Sequence, residues 1–241
     1  MVIIGFILGA FLFWYFSKKK KESVLSDAKV STASAVEQTI PDLPLSFGYK
    51  SMWFAVKTDD KQKVAELMQL KNIEVCNWQV GIQKAYRGNV FVTPAIDGWT
   101  LVCSSELPAG DSEASVKEVK NLLETLSRTF EEAQFFCTHR VVEFHSWMKA
   151  RAGVVKRIYS YLGESGQNIA IEGEVTDFEK SVNLVNTFSE EAKDENYFDR
   201  EDIVWPNESF VMQVAANWSV DPSNLEVRTD LEPGLGILGV R

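Results

Sequence analysis

Fifteen consecutive uncharged residues, Val2 to Phe16, run almost directly into Lys18, Lys19, Lys20 and Lys21. That pairing constrains the chain more than any other feature, because a core helix of a soluble domain seldom precedes a block of four cations. As a helix the run spans roughly 22 Å at about 1.5 Å per residue, short against a hydrocarbon core of about 30 Å. Met1 and Ser17 lengthen it, and Lys18 can carry its ammonium out to the headgroups along its own methylenes. A cleaved leader has positive charge before its apolar part and small residues after it. Here no charge precedes the run, and Phe13, Trp14, Tyr15 and Phe16 end it.

The expectation is a transmembrane anchor over residues 1–17, a basic juxtamembrane segment and linker over 18–44, and a globular domain over 45–241. Basic flanks stay on the cytoplasmic side, which puts the N-terminus outside and the large domain in the cytoplasm. Lys18 to Lys21 then lie at the membrane surface, each contributing on the order of 1 kcal/mol against anionic lipid. Gly5 and Gly9 have the spacing that lets two spans approach closely, so a homodimer through this helix is one reading beside contact with the bilayer; the other is that small residues are simply common in spans. The polar stretch from Ser23 to Pro44 reads as a tether reaching on the order of 25 Å.

Charge is unevenly spread. The whole chain carries −9, yet residues 163–241 hold 17 acidic and 5 basic side chains, a net of −12. An acidic stretch from Glu190 to Asp202 stands out. Nucleic acid is a poor fit, since phosphate binding needs clustered Lys and Arg; a protein partner with a cationic surface is a better one. Three scattered cysteines, Cys76, Cys103 and Cys137, form neither a disulfide framework nor a CxxC pair, so zinc and redox dithiols are not expected.

Beyond the tether the patterns alternate, which predicts an α+β domain of antiparallel strands with about four to five helices. Residues 51–57 read as a strand, and residues 60–70 as a helix capped by Thr58 or Asp59. A short helix follows, ending at Gly88. Two strands near 89–104 turn at Asp97-Gly98, a strong hairpin cue. The most secure helix covers 115–130, with Ser115 and Glu118 in capping-box spacing and Val119, Leu122, Leu123, Leu126 and Phe130 as its buried stripe. Near 134–174 a meander of three strands is expected, the first unbroken through "AQFFCTHRVVEFHSWMKA". Thr176 and Glu179 predict another helix, and Asn207 precedes a last one. The tail from Leu225 reads as irregular. The loop at 105–112 is a candidate boundary between two lobes.

The candidate chemistry lies in "CTHRVVEFH". Both histidines of the chain, His139 and His145, are here, and in an unbroken strand Cys137, His139, Glu143 and His145 share one face. Nucleophile, acid–base and metal-ligand types are all present. Residues six apart in a strand are about 20 Å apart, too far for both histidines to hold one ion, so neither a metal nor a cofactor is expected. "GLGILG" at 234–239 spells a dinucleotide-binding turn, but such a turn needs a following helix, and only Val240 and Arg241 remain. Trp99, beside the Asp97-Gly98 turn, is the tryptophan most exposed by position, its two readings being packing on the core and contact with a partner. The reading is a membrane-anchored cytoplasmic protein-interaction domain without evident catalytic chemistry. The alternatives are an anchored hydrolase using Cys137, His139, Glu143 and His145, or a small-ligand or metal sensor.

Overall fold

The computed structural model describes residues 38–241, with β1 (Ser51–Val56) in the middle of a nine-stranded sheet. Along the chain follow α1 (Lys61–Leu67), β2 (Lys71–Asn77), α2 (Trp78–Ala85), β3 (Val90–Val92) and β4 (Thr100–Ser104). Next come α3 (Glu113–Phe130), β5 (Glu132–His139), β6 (Phe144–Arg151), β7 (Val154–Leu162) and β8 (Gln167–Gly173). The chain closes with β9 (Asn183–Leu184), β10 (Ile203–Val204), α4 (Glu208–Trp218) and β11 (Leu235–Val240). The sheet order is β2-β11-β3-β4-β1-β5-β6-β7-β8, antiparallel throughout, with β9 and β10 as a separate parallel pair. The anchor, Lys18 to Lys21, and Gly5 with Gly9 lie outside the described residues. No helix among the described residues is long and apolar enough to cross a membrane.

Both faces of the sheet are covered, and strand alternation decides which residues meet which layer. Phe54, Val56, Phe135 and Met148 point to the side packed by α1 and by Val119, Leu123 and Leu126 of α3. Trp53, Ala55, Phe136 and Trp147 point to the other, packed by α2, α4 and parts of the segment 178–203. With both sides buried the central strands read as nearly continuous apolar runs, as in "WFAV". Residues 41–241 form one unit, and the loop 105–112 runs within it from β4 into α3.

Local chemistry explains the element ends. Asn77 caps α2 through Val80 N–H at 3.1 Å, and the Asp42 carboxylate accepts from Trp78 and Gln79 N–H at 2.6 and 2.9 Å. Asp60, next to the expected cap, accepts from Lys63 N–H at the start of α1. Ser112 caps α3; the Ser115 hydroxyl instead accepts from Gly110 N–H at 2.8 Å. The Asp97-Gly98 turn has φ of 52° and 79°, the pair of positive values that a two-residue antiparallel hairpin of type I′ requires.

Four stretches depart from the sequence reading. Residues 71–77 form β2, an edge strand whose first five residues are exposed. The long strand expected over residues 133–150 is two strands joined by a turn at 140–143. Thr176 and Glu179 do bond to one another, at 3.0 and 2.7 Å, but only a short 3-10 turn over Glu179–Ser181 results. The remaining oxygen of Glu179 is occupied by Arg157 and Trp147, and Val185, just past β9, is buried in the core. The tail is also ordered: β11 fills the place between β2 and β3. Its glycines are needed there, since a Cβ at Gly236 would lie 2.3 Å from the Phe91 ring.

Candidate functional site

The turn at 140–143 reverses the expected grouping. His139 pairs with Phe144, Thr138 with His145 and Cys137 with Ser146. Paired residues of antiparallel strands share a face, so Cys137 and His139 lie on the α3 side of the sheet. His145 lies with Thr138 and Trp147 on the α4 side. Glu143 sits in the turn itself at φ 50°. The four predicted residues are therefore divided between the two faces.

On the α4 side, His145 is fully buried. Its Nδ1 lies 3.0 Å from Thr138 Oγ1 and its Nε2 3.2 Å from Glu143 Oε2. Burial holds the imidazole below its ordinary pKa, with Glu143 and Glu208 opposing that shift. Hydroxyl, imidazole and carboxylate follow in the order of an activated nucleophile. Thr138 and His145 both have 0% exposure, however, and an attacking oxygen must reach substrate. This line of bonds orients the hairpin.

On the α3 side, Cys137 and His139 line a cleft of about 520 Å³ at the end of the sheet. Met52, Cys137, Phe144 and Leu162 contribute its apolar surface, and Lys50, Asp111, His139 and Glu164 its polar one. Cys137 is 2% exposed. Burial, followed by the charge of Asp111, pushes its thiol up, so almost no thiolate forms near neutral pH and its nucleophilicity is low. Cys76, pushed up to about 12 by burial first, and Cys103, also raised by burial, are likewise held as neutral, slowly reacting thiols.

Trp99 is half-buried and packs against the core. Asp97 beside it is held below the usual carboxylate range by its hydrogen bond to Arg228. Among the six tryptophans outside the N-terminal run, Trp205 is the exposed one, at 40%. It stands 6.2 Å from Phe198, itself 43% exposed, and leans edge-on against Tyr161 at 5.8 Å. Residues 190–202 beside it hold seven acidic and two basic side chains. Lys193 is paired with Glu190 at 2.5 Å, and Arg200 with Glu191 and Asp202 at 2.7 Å each. Glu195, Asp199 and Glu201 have no cationic partner among the described residues. The acidic stretch was visible in the sequence. The signal that would have completed this shelf is the pair of aromatics seven apart, Phe198 and Trp205, at its downstream end.

A second groove, of about 620 Å³, lies between α3 and the edge strand β8. Among the described residues no three His, Cys, Asp or Glu side chains converge as metal ligands. Comparisons with protein-family models, with curated proteins and with solved structures find no match to this chain.

Proposed function

We propose that the chain is a single-pass membrane protein whose cytoplasmic α+β domain binds a cationic protein partner through the acidic shelf at 190–205. The observation that carries this reading is the exposed Phe198–Trp205 pair beside uncompensated carboxylates. Aromatic faces attract ammonium and guanidinium groups by about 0.5–2 kcal/mol each, and interface energy concentrates on such rigid anchors. The carboxylates add orientation and a faster encounter with a basic surface. The anchor over 1–17 and the lysines at 18–21 support placement beside the inner leaflet.

The test is crosslinking and affinity capture from native membranes. The intact chain is compared with Trp205→Ala and with the triple variant Glu195→Gln, Asp199→Asn, Glu201→Gln. Loss of the same basic partner in both variants, and its release as salt is raised, supports the shelf. An unchanged set of captured proteins refutes it. Recovery of the full-length chain in the high-speed supernatant of detergent-free lysate refutes the anchor. The hydrolase reading is weakened by the closed thiol of Cys137 and the buried ring of His145. The small-ligand reading is favoured by the cleft at Lys50 and His139.

A further inference from the structure

The cleft at the β5–β6 hairpin combines a closed apolar floor with four charged or titratable groups that the protein leaves uncommitted. Lys50, Asp111, His139 and Glu164 all line it, and none of them makes a side-chain hydrogen bond or an ion pair among the described residues. Elsewhere on this surface many charges are paired, Lys120 with Glu172 and Arg241 with Glu118 among them. The floor from Met52, Cys137, Phe144 and Leu162 is backed by the α3 core. A volume of about 520 Å³ falls in the range of about 300–1,000 Å³ usual for small-molecule sites.

The signs of the rim groups are ordered along the sheet. Ser51 pairs with Thr138, so Lys50 and His139 are the next residues along β1 and β5, neighbours at the mouth. Glu164 follows β7, and β7 is separated from β5 only by β6. Two strand steps of about 4.8 Å put His139 and Glu164 about 10 Å apart, and Lys50, beside β1, stands one strand further. Asp111 comes from the loop that leads into α3, close enough to Cys137 for its charge to be felt by the thiol.

We propose that this cleft binds a short apolar peptide as a free zwitterion, its carboxylate on Lys50 and His139 and its ammonium on Glu164 and Asp111. Three extended residues at about 3.4 Å each span about 10 Å, which matches the separation of His139 and Glu164. Apolar side chains then cover the floor, where Val142 forms part of the wall. Both free ends are used, so an internal segment or one terminus of a long chain satisfies only half of the site. The assignment is independent of the acidic shelf, which lies on a different part of the fold.

The probe is trileucine, titrated into the full-length chain in detergent and followed by calorimetry. Thiol labelling with iodoacetamide, resolved residue by residue by mass spectrometry, is read in parallel. Trileucine is expected to bind and to slow labelling of Cys137 at least about fivefold, with Cys76 and Cys103 unchanged. Lys50→Ala and Glu164→Gln, both at exposed positions, are each expected to weaken binding about tenfold. Val142→Trp, which narrows the mouth from the rim, is expected to abolish it. Peptides acetylated at the amino end or amidated at the carboxyl end are expected to bind at least tenfold more weakly. Absence of both heat and Cys137 protection at millimolar trileucine overturns the site. Equal binding of either blocked peptide overturns the two-ended recognition. Equal protection of all three cysteines also overturns it, because that marks general stabilisation instead of occupancy.

Discussion

Glu179 is fully buried, yet it holds the segment after β8 onto the sheet with charge. Its Oε1 accepts from Trp147 Nε1 and from Arg157 Nε, both at 2.9 Å, and forms an ion pair with a second guanidinium nitrogen at 2.8 Å. Its Oε2 accepts from Thr176 N–H and Oγ1 at 3.0 and 2.7 Å. Four hydrogen bonds and one further ion-pair contact thus converge on one carboxylate, and the Arg157 side chain is only 4% exposed. Glu179→Gln keeps the shape but supplies a single acceptor oxygen, so one set of donors must face an NH2 group. Arg157 is left buried without a counter-charge. Breaking one side of a buried pair in this way costs about 3–5 kcal/mol, equivalent to a fall in Tm of about 6–20 °C for a domain near 200 residues. Urea unfolding of the full-length chain in detergent, followed by circular dichroism, measures it. The double variant Arg157→Met, Glu179→Leu separates the charge from the packing, because an apolar pair of similar volume is often neutral. It is expected to be at least about 2 kcal/mol more stable than the sum of its two single changes implies. A loss below about 1 kcal/mol for Glu179→Gln, or strict additivity in the cycle, refutes the reasoning.

Three further outcomes follow from the same geometry. His145 is held below its ordinary pKa of 6.5 by burial, so as pH falls below about 6.5 the unfolded chain takes up a proton that the folded chain resists. Stability therefore declines from that point down to the folded pKa; His145→Asn is expected to flatten the slope between pH 6.5 and 5, and an unchanged slope in urea titrations refutes it. A Cβ at Gly81 would lie 2.3–2.6 Å from three atoms of the Phe91 ring, so Gly81→Ala is expected to lose about 1–3 kcal/mol by overpacking despite its better helix propensity. Adding Phe91→Leu is expected to restore part of that loss, and no restoration would place the strain elsewhere. Arg228→Ala removes the pair with Asp97, whose side chain is 52% exposed; thermal unfolding is expected to show a loss under about 1 kcal/mol, in contrast to Glu179.

Elements that carry their own signal were legible. The helix over residues 208–218 announces itself by Asn207 and an apolar stripe, and the 89–104 hairpin by Asp97-Gly98, where only residues tolerant of positive φ fit. Elements that depend on distant partners were not. β11 reads as loop because "GLGILG" has the composition of a turn, yet Gly236 is required by a Phe91 ring more than a hundred residues upstream. β2 has no apolar face to announce it: Ile73 and Val75 are 49% and 44% exposed, and the strand exists because β11 offers it an edge. Glu179 was read, with Thr176, as the start of a helix. Its second oxygen belongs to Arg157, and no local pattern shows that.

The expected grouping on one face failed by one count of parity. Reading residues 133–150 as one strand puts Cys137, His139, Glu143 and His145 on a single face, because each is an odd number and the period is two. A four-residue turn leaves both histidines in strands but makes the pairing sum odd, as in His139 with Phe144 and Thr138 with His145. Every residue after the turn then takes the face opposite to the one its number predicts. The turn had little to mark it: "RVVE" holds no glycine, proline, asparagine or aspartate, and Glu143 takes its positive φ without any of the usual residues. Its cost is met by the hairpin itself. Glu143 O accepts from Gly163 N–H at 2.9 Å, and its carboxylate reaches the His145 ring. The same bonds that hide the turn in sequence close His145 to substrate and leave Cys137 and His139 beside Lys50, where an open cleft remains.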